Sequence, residues 1–228
     1  MSKESTTYYK FLTSEGISPY VEYAWPLPTG DTPGDWVEVE GGLIECKIGI
    51  HACAEEHLLE WLDVALYELE YDGERHEAER KVYGRRARLV RHMETWNEQS
   101  ARLFAADCAE HVSRFWVAPE GCDWEPAQTI LVARRFAFGL VDSDTAGAAA
   151  HAARAASCGA ADAAYAASAG AADAAARSAA YAAFAYAASA DAANAARATT
   201  REWQSTLLMQ YVRGEVDIDA IRRGVEDE

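Results

Sequence analysis

VALYELEYDGE, residues 64–74, alternates apolar and acidic side chains one residue at a time. That period of two is the pattern of a half-buried β-strand, with successive side chains on opposite faces. Tyr67, Leu69 and Tyr71 share one face, Leu66, Glu68 and Glu70 the other, and Asp72-Gly73 is a turn pair. Working outward, a return strand is expected near 78–82 and another through RARLVRH, 86–92. Upstream, TYYKFL (7–12) is a short aromatic strand, and 36–40 alternates around Val37 and Val39. Gly41-Gly42 then turns the chain into LIECKIGIHAC (43–53), a further strand region, before a helical pattern over 54–62. Between the first two strands lies an irregular loop rich in proline and glycine, running from the end of the first strand through Gly34 and pinned by Tyr20, Tyr23 and Trp25. These segments assemble into a small, mostly antiparallel sheet.

The period changes at Thr95. Thr95 and Glu98 match a capping box, in which hydroxyl and carboxylate satisfy each other's free backbone donors. Trp96, Leu103, Phe104, Cys108, Val112 and Phe115 follow at helical spacing. Pro126 suits the first position of a next helix that runs to about Leu140, and 142–144 offers another cap. Residues 151–198 then repeat two alanines and one other residue. Alanine has the highest helix propensity, so long helices are expected there, broken near Gly159 and Gly170. A repeat of three drifts around a helix of 3.6 residues per turn, leaving alanine on nearly every face and allowing close helix approach. An amphipathic segment, 203–212, and a short helix capped by Asp217 complete the chain.

The 228 residues carry 37 acidic against 21 basic side chains, a formal charge of −16. A surface of that sign repels phosphate backbones and anionic membranes, so neither nucleic acid nor a bilayer is an expected partner. No apolar run is long enough to span a membrane, and MSKESTTYYKF contains no apolar leader segment. Five irregularly spaced cysteines suggest reduced thiols rather than a disulfide framework, and a cytoplasmic location is expected.

Several of these segments carry a resemblance. YYKFL, YAWPLP, the C-x-x-G-x-H-x-C core of CKIGIHAC, Trp61-Leu62, LYELEYDGE, ERKV and RLVRHMETWN together resemble a family of uncharacterised actinobacterial and phage-associated proteins. ADCAEHV, RRFAFGL and AAAHAARAA resemble alanine-rich immunity proteins of polymorphic-toxin systems. The second resemblance implies a binding role against a toxin or nuclease; neither brings a known reaction.

Two constellations have chemical potential. Cys46, His51, Cys53 and His57 place four thiol or imidazole groups within twelve residues, donors that zinc accepts. The paired C-x2-C units of zinc modules are absent, so the simpler reading is a core cysteine and a packed histidine, and no metal or cofactor is assigned. Glu68 and Glu70 form an E-x-E pair of the kind ADP-ribosyltransferases use in a sheet-lined cleft. A solvated sheet face explains that pair equally, with Arg85, Arg86, Arg88 and Arg91 as its counter-charges. No nucleophile elbow, P-loop or dinucleotide fingerprint occurs. Tyr165, Tyr181 and Tyr186 interrupt the alanine repeat and are candidate binding residues.

The expected fold class is therefore α+β: a β-containing head over 1–93 and an alanine-rich helical bundle over 94–228, packed on the head as one unit. The expected function is non-enzymatic binding of a protein partner, immunity-like or partner-inhibiting. An ADP-ribosyltransferase-like enzyme using Glu68 and Glu70 is one alternative; a structural module, homo-oligomeric through its alanine faces, is the other.

Overall fold

The computed structural model describes residues 7–113, 126–155 and 190–227. The fold is α+β, with a five-stranded antiparallel sheet and helices after it. Two compact units divide at Asn97 and Glu98, four residues beyond the boundary read from the sequence.

In the first unit, β1 (Tyr8–Leu12), β2 (Val37–Glu38), β3 (Ile50–Ala52), β4 (Ala65–Glu77) and β5 (Val82–His92) pair antiparallel. The order is β1–β4–β5, with β2 and β3 on the far side of β5. Just past β3, Cys53 returns to β1: Tyr9 N–H donates to Cys53 O at 2.8 Å and Cys53 N–H to Tyr9 O at 2.9 Å. The sheet thus curls until its ends meet, and one face becomes an interior. Tyr8, Leu12, Ile50, Ala52, Tyr67, Leu69, Ala87 and Leu89 fill it, with Trp25 reaching in from the loop.

Asp72-Gly73 does not turn the chain. Gly73, at φ +82°, sits in a register shift between Asp72 and Arg75, a bulge that bends β4 while pairing continues to Glu77. The reversal comes at 78–81, where Ala78 N–H donates to Lys81 O at 2.8 Å, so the return strand expected near 78–82 falls on the turn, and the one expected through 86–92 is the second half of a longer β5. The helical pattern at 54–62 is a 3-10 helix, Glu55–Glu60.

The alternation of β1 puts Lys10 on the same face as Tyr8 and Leu12. Its ammonium donates to His51 O at 2.9 Å and stands 5.1 Å from the Trp25 ring centre. Burial lowers its pKa from 10.5 to about 8. Between those values the unfolded chain binds more protons than the folded one, so stability should rise as pH climbs from 8 to 10.5. Below pH 8 the full cost of burying the charge is present, about 3 kcal/mol. Lys10→Met is expected to stabilise the protein by about 2 kcal/mol at pH 7, after loss of the bond to His51 O. Urea denaturation at pH 7 and 10 checks this: the gain should shrink at the higher pH.

In the second unit, α1 (Glu98–Ser113) packs on α2 (Pro126–Ala137) and α4 (Ala190–Arg213), while α2 also meets α3 (Ser143–Ala155) and α5 (Ile218–Asp227). α1 opens at Glu98, three residues past Thr95. Trp96 N–H folds back to Met93 O at 2.9 Å and the indole donates to Asp63 O at 2.8 Å, so this segment is a turn held to the sheet. The caps at Asp142 and Asp217 form as the sequence suggests, to Thr145 N–H and Ala220 N–H at 2.8 Å each. Trp96, Leu103, Phe104 and Cys108 are fully buried. Asp107 joins three helices by accepting from Tyr211 O–H and from Arg134, both at 2.7 Å.

Candidate functional site

Glu68 and Glu70 lie on the outward face of β4, opposite arginines of β5. Arg91 donates to both oxygens of Glu68, at 3.2 and 2.5 Å, and Arg88 to Glu70. Asp72–Arg86 at 2.6 Å and Glu74–Arg85 at 3.1 Å continue a four-rung ladder. Trp36 lies under two of its guanidinium groups, Arg86 at 4.7 Å and Arg88 at 4.5 Å. Such partly exposed pairs contribute about 0.2–1 kcal/mol each. Glu68 faces Tyr9 in register, yet its oxygens are engaged by Arg91. Each rung fits a role in strand pairing.

The four zinc-spaced residues go separate ways. Cys53 is buried, its thiol 3.7 Å from Tyr9 O and pushed up to about 12 by burial. His51 stacks on Tyr83 at 5.9 Å, and burial and then the charges of Lys81 and Lys10 lower its pKa. His57 approaches Glu60 at 3.8 Å, on the 3-10 helix. Cys46 is exposed and meets the Lys81 ammonium at 2.7 Å. Among the described residues no three histidine, cysteine or acidic side chains converge as metal ligands would. Tyr165, Tyr181 and Tyr186 lie outside the described residues.

A different surface stands out in the proline-rich loop. Of the three aromatics expected as anchors, Trp25 is the one that enters the core, with its indole N–H donating to the buried Ser18 hydroxyl at 2.9 Å. Tyr20 and Tyr23, expected beside it as anchors, face outward instead. Tyr20 is 75% exposed, Val21 73%, Tyr23 43% and Leu27 42%. The tip is closed by backbone hydrogen bonds: Ser18 N–H donates to Tyr23 O at 2.9 Å, Glu22 N–H to Ser18 O at 3.1 Å, and Ile17 pairs with Ala24. Glu22 takes φ +50°, the left-handed conformation that closes the turn. Beside it, Trp61 meets the Tyr20 ring edge-on at 6.2 Å, its own N–H held by Arg80 O at 3.1 Å.

The outward aromatics could not be read from the sequence, because a tyrosine between prolines can anchor or project equally well. Only the seat taken by Trp25 decides which residues are left outside.

Comparison of the chain with family models, with curated proteins and with solved structures finds no match. Among the described residues no helix is long and apolar enough to cross a membrane.

Proposed function

We propose that this is a non-enzymatic binding protein of the cytoplasm, immunity-like in action, which captures a basic protein through the Pro19–Tyr23 tip and Trp61. The observation that carries this reading is the pairing of large exposed apolar side chains with a hydrogen-bonded, preorganised loop. Holding Tyr20 and Val21 in water costs free energy in the unbound protein, and docking recovers it. A rigid loop also loses little entropy when it binds. Aromatic residues are enriched at the centres of interfaces for these reasons.

Charge selects the partner. The chain bears −16 overall, with the exposed Glu22 within the tip and the exposed Glu15 shortly before it, so a cationic protein is steered in and an acidic one repelled. The alternative use of Glu68 and Glu70 in catalysis has less support, since arginines engage both carboxylates.

The test compares the protein with a Tyr20→Ser/Val21→Asp variant, each immobilised and exposed to host lysate. The expected result is one basic protein retained stoichiometrically by the native chain, and weakened by about a hundredfold or more in the variant. Both residues are exposed, so thermal stability should be unchanged. Equal retention by the variant, or an acidic captured protein, overturns the proposal.

A further inference from the structure

The three cysteines among the described residues have different surroundings. Cys53 and Cys108 are buried, and burial raises both thiols, Cys53 to about 12. Cys46 is exposed, at the tip of a turn closed by Ile44 N–H to Ile48 O at 2.9 Å and Ile48 N–H to Ile44 O at 2.8 Å. Its backbone takes φ +60°, the left-handed conformation of that turn.

Lys81 comes from the end of the β4–β5 reversal, thirty-five residues away, and brings its ammonium to 2.7 Å from the Cys46 sulfur. Cys46 is an exposed residue, whereas the Lys81 side chain is only 12% exposed. Its second partner is Glu45 at 3.3 Å. Contact with the sulfur, and then with Glu45, makes Lys81 hold its proton more firmly than an ordinary lysine. The result is an accessible sulfur against a fixed positive charge, an arrangement that favours sulfur nucleophiles.

We propose that Cys46 and Lys81 form a modification site at which the Cys46 sulfur exchanges with low-molecular-weight disulfides. The Cys46 proton passes to water, and the thiolate, facing the Lys81 ammonium, attacks one sulfur of RSSR. A new S–S bond forms to Cys46 and the RS–SR bond breaks, its electron pair leaving on RS⁻, which takes a proton from solvent. The balance is Cys46 thiol plus RSSR giving the mixed disulfide plus RSH, with the small disulfide as the oxidant. Glu45 opposes the thiolate by competing for the same ammonium. This site does not depend on the binding surface, and either can fail without the other.

The test treats the folded full-length chain with oxidised glutathione and follows each cysteine by peptide mass spectrometry. Cys46 should acquire a glutathionyl group, while Cys53 and Cys108 do so only after denaturant is added. Lys81→Met should slow modification of Cys46 about tenfold, and Lys81→Arg, which keeps the charge, should restore most of the rate. Glu45→Gln should accelerate it. An unchanged rate in Lys81→Met overturns the proposal. Should circular dichroism show that variant unfolded, Glu45→Gln decides, and a rate no faster than native overturns it. Cys46 reacting no faster in the native chain than in urea overturns it as well.

Discussion

Gly34→Ala is expected to destabilise the protein by about 3 kcal/mol, although it adds one methyl group. A Cβ built at Gly34 would lie 2.1 Å from Pro26 O and 2.9 Å from Pro26 C. Those are backbone atoms, so no rotamer change relieves the clash. Gly34 N–H also donates to Leu89 O at 2.9 Å, which fastens the end of the loop to β5. Moving either strand of this contact pulls on Trp25, next to Pro26, and so on the support of the outward Tyr20 tip. Chemical denaturation measures the loss. Gly42→Ala is the control: its Cβ would meet nothing within 4 Å, and its stability should stay within about 0.5 kcal/mol of native. Equal stability of the two variants would show that the Pro26–Gly34 contact is not tight.

Asp107→Ala should cost a similar amount, about 3 kcal/mol, in the helical unit. The Tyr211 hydroxyl, on a side chain 1% exposed, would lose its acceptor, and Arg134 would keep only the more exposed Glu110, at 2.7 Å. Leaving a buried hydroxyl unpaired costs about 1–3 kcal/mol, and halving the partners of a largely buried guanidinium adds to it. Asp107→Asn separates the contributions, because its amide oxygen still accepts from Tyr211 while the charge facing Arg134 is gone. Urea denaturation followed by helical circular dichroism should rank native above Asn above Ala. An alanine variant as stable as native would mean that water satisfies Tyr211 and Arg134 equally well.

The carboxylate ladder shows where pattern reading succeeds. Alternation along 66–71 placed Tyr67, Leu69 and Tyr71 inside and Glu68 and Glu70 outside, and the structure keeps that division. The basic run at 85–91 becomes the opposing strand. Gly73 shows where it fails. An Asp-Gly pair fits a hairpin turn and a bulge equally, and the choice depended on whether β5 had residues to pair with Glu77.

By itself, the sequence determined the element types that have a period or a cap: the aromatic first strand, the alternating central strand, and the helices introduced by Pro126, Asp142 and Asp217. Those are local properties, set by side-chain spacing and nearest backbone donors. Tertiary structure alone decided the closure of Cys53 onto Tyr9, the partial burial of Lys10 beside Trp25, the outward turn of Tyr20 and the meeting of Cys46 with Lys81. Each joins residues far apart in the chain or depends on which of several similar side chains takes one seat. Spacing along the chain contains no record of such competition, which is settled only when the sheet curls and its interior fills.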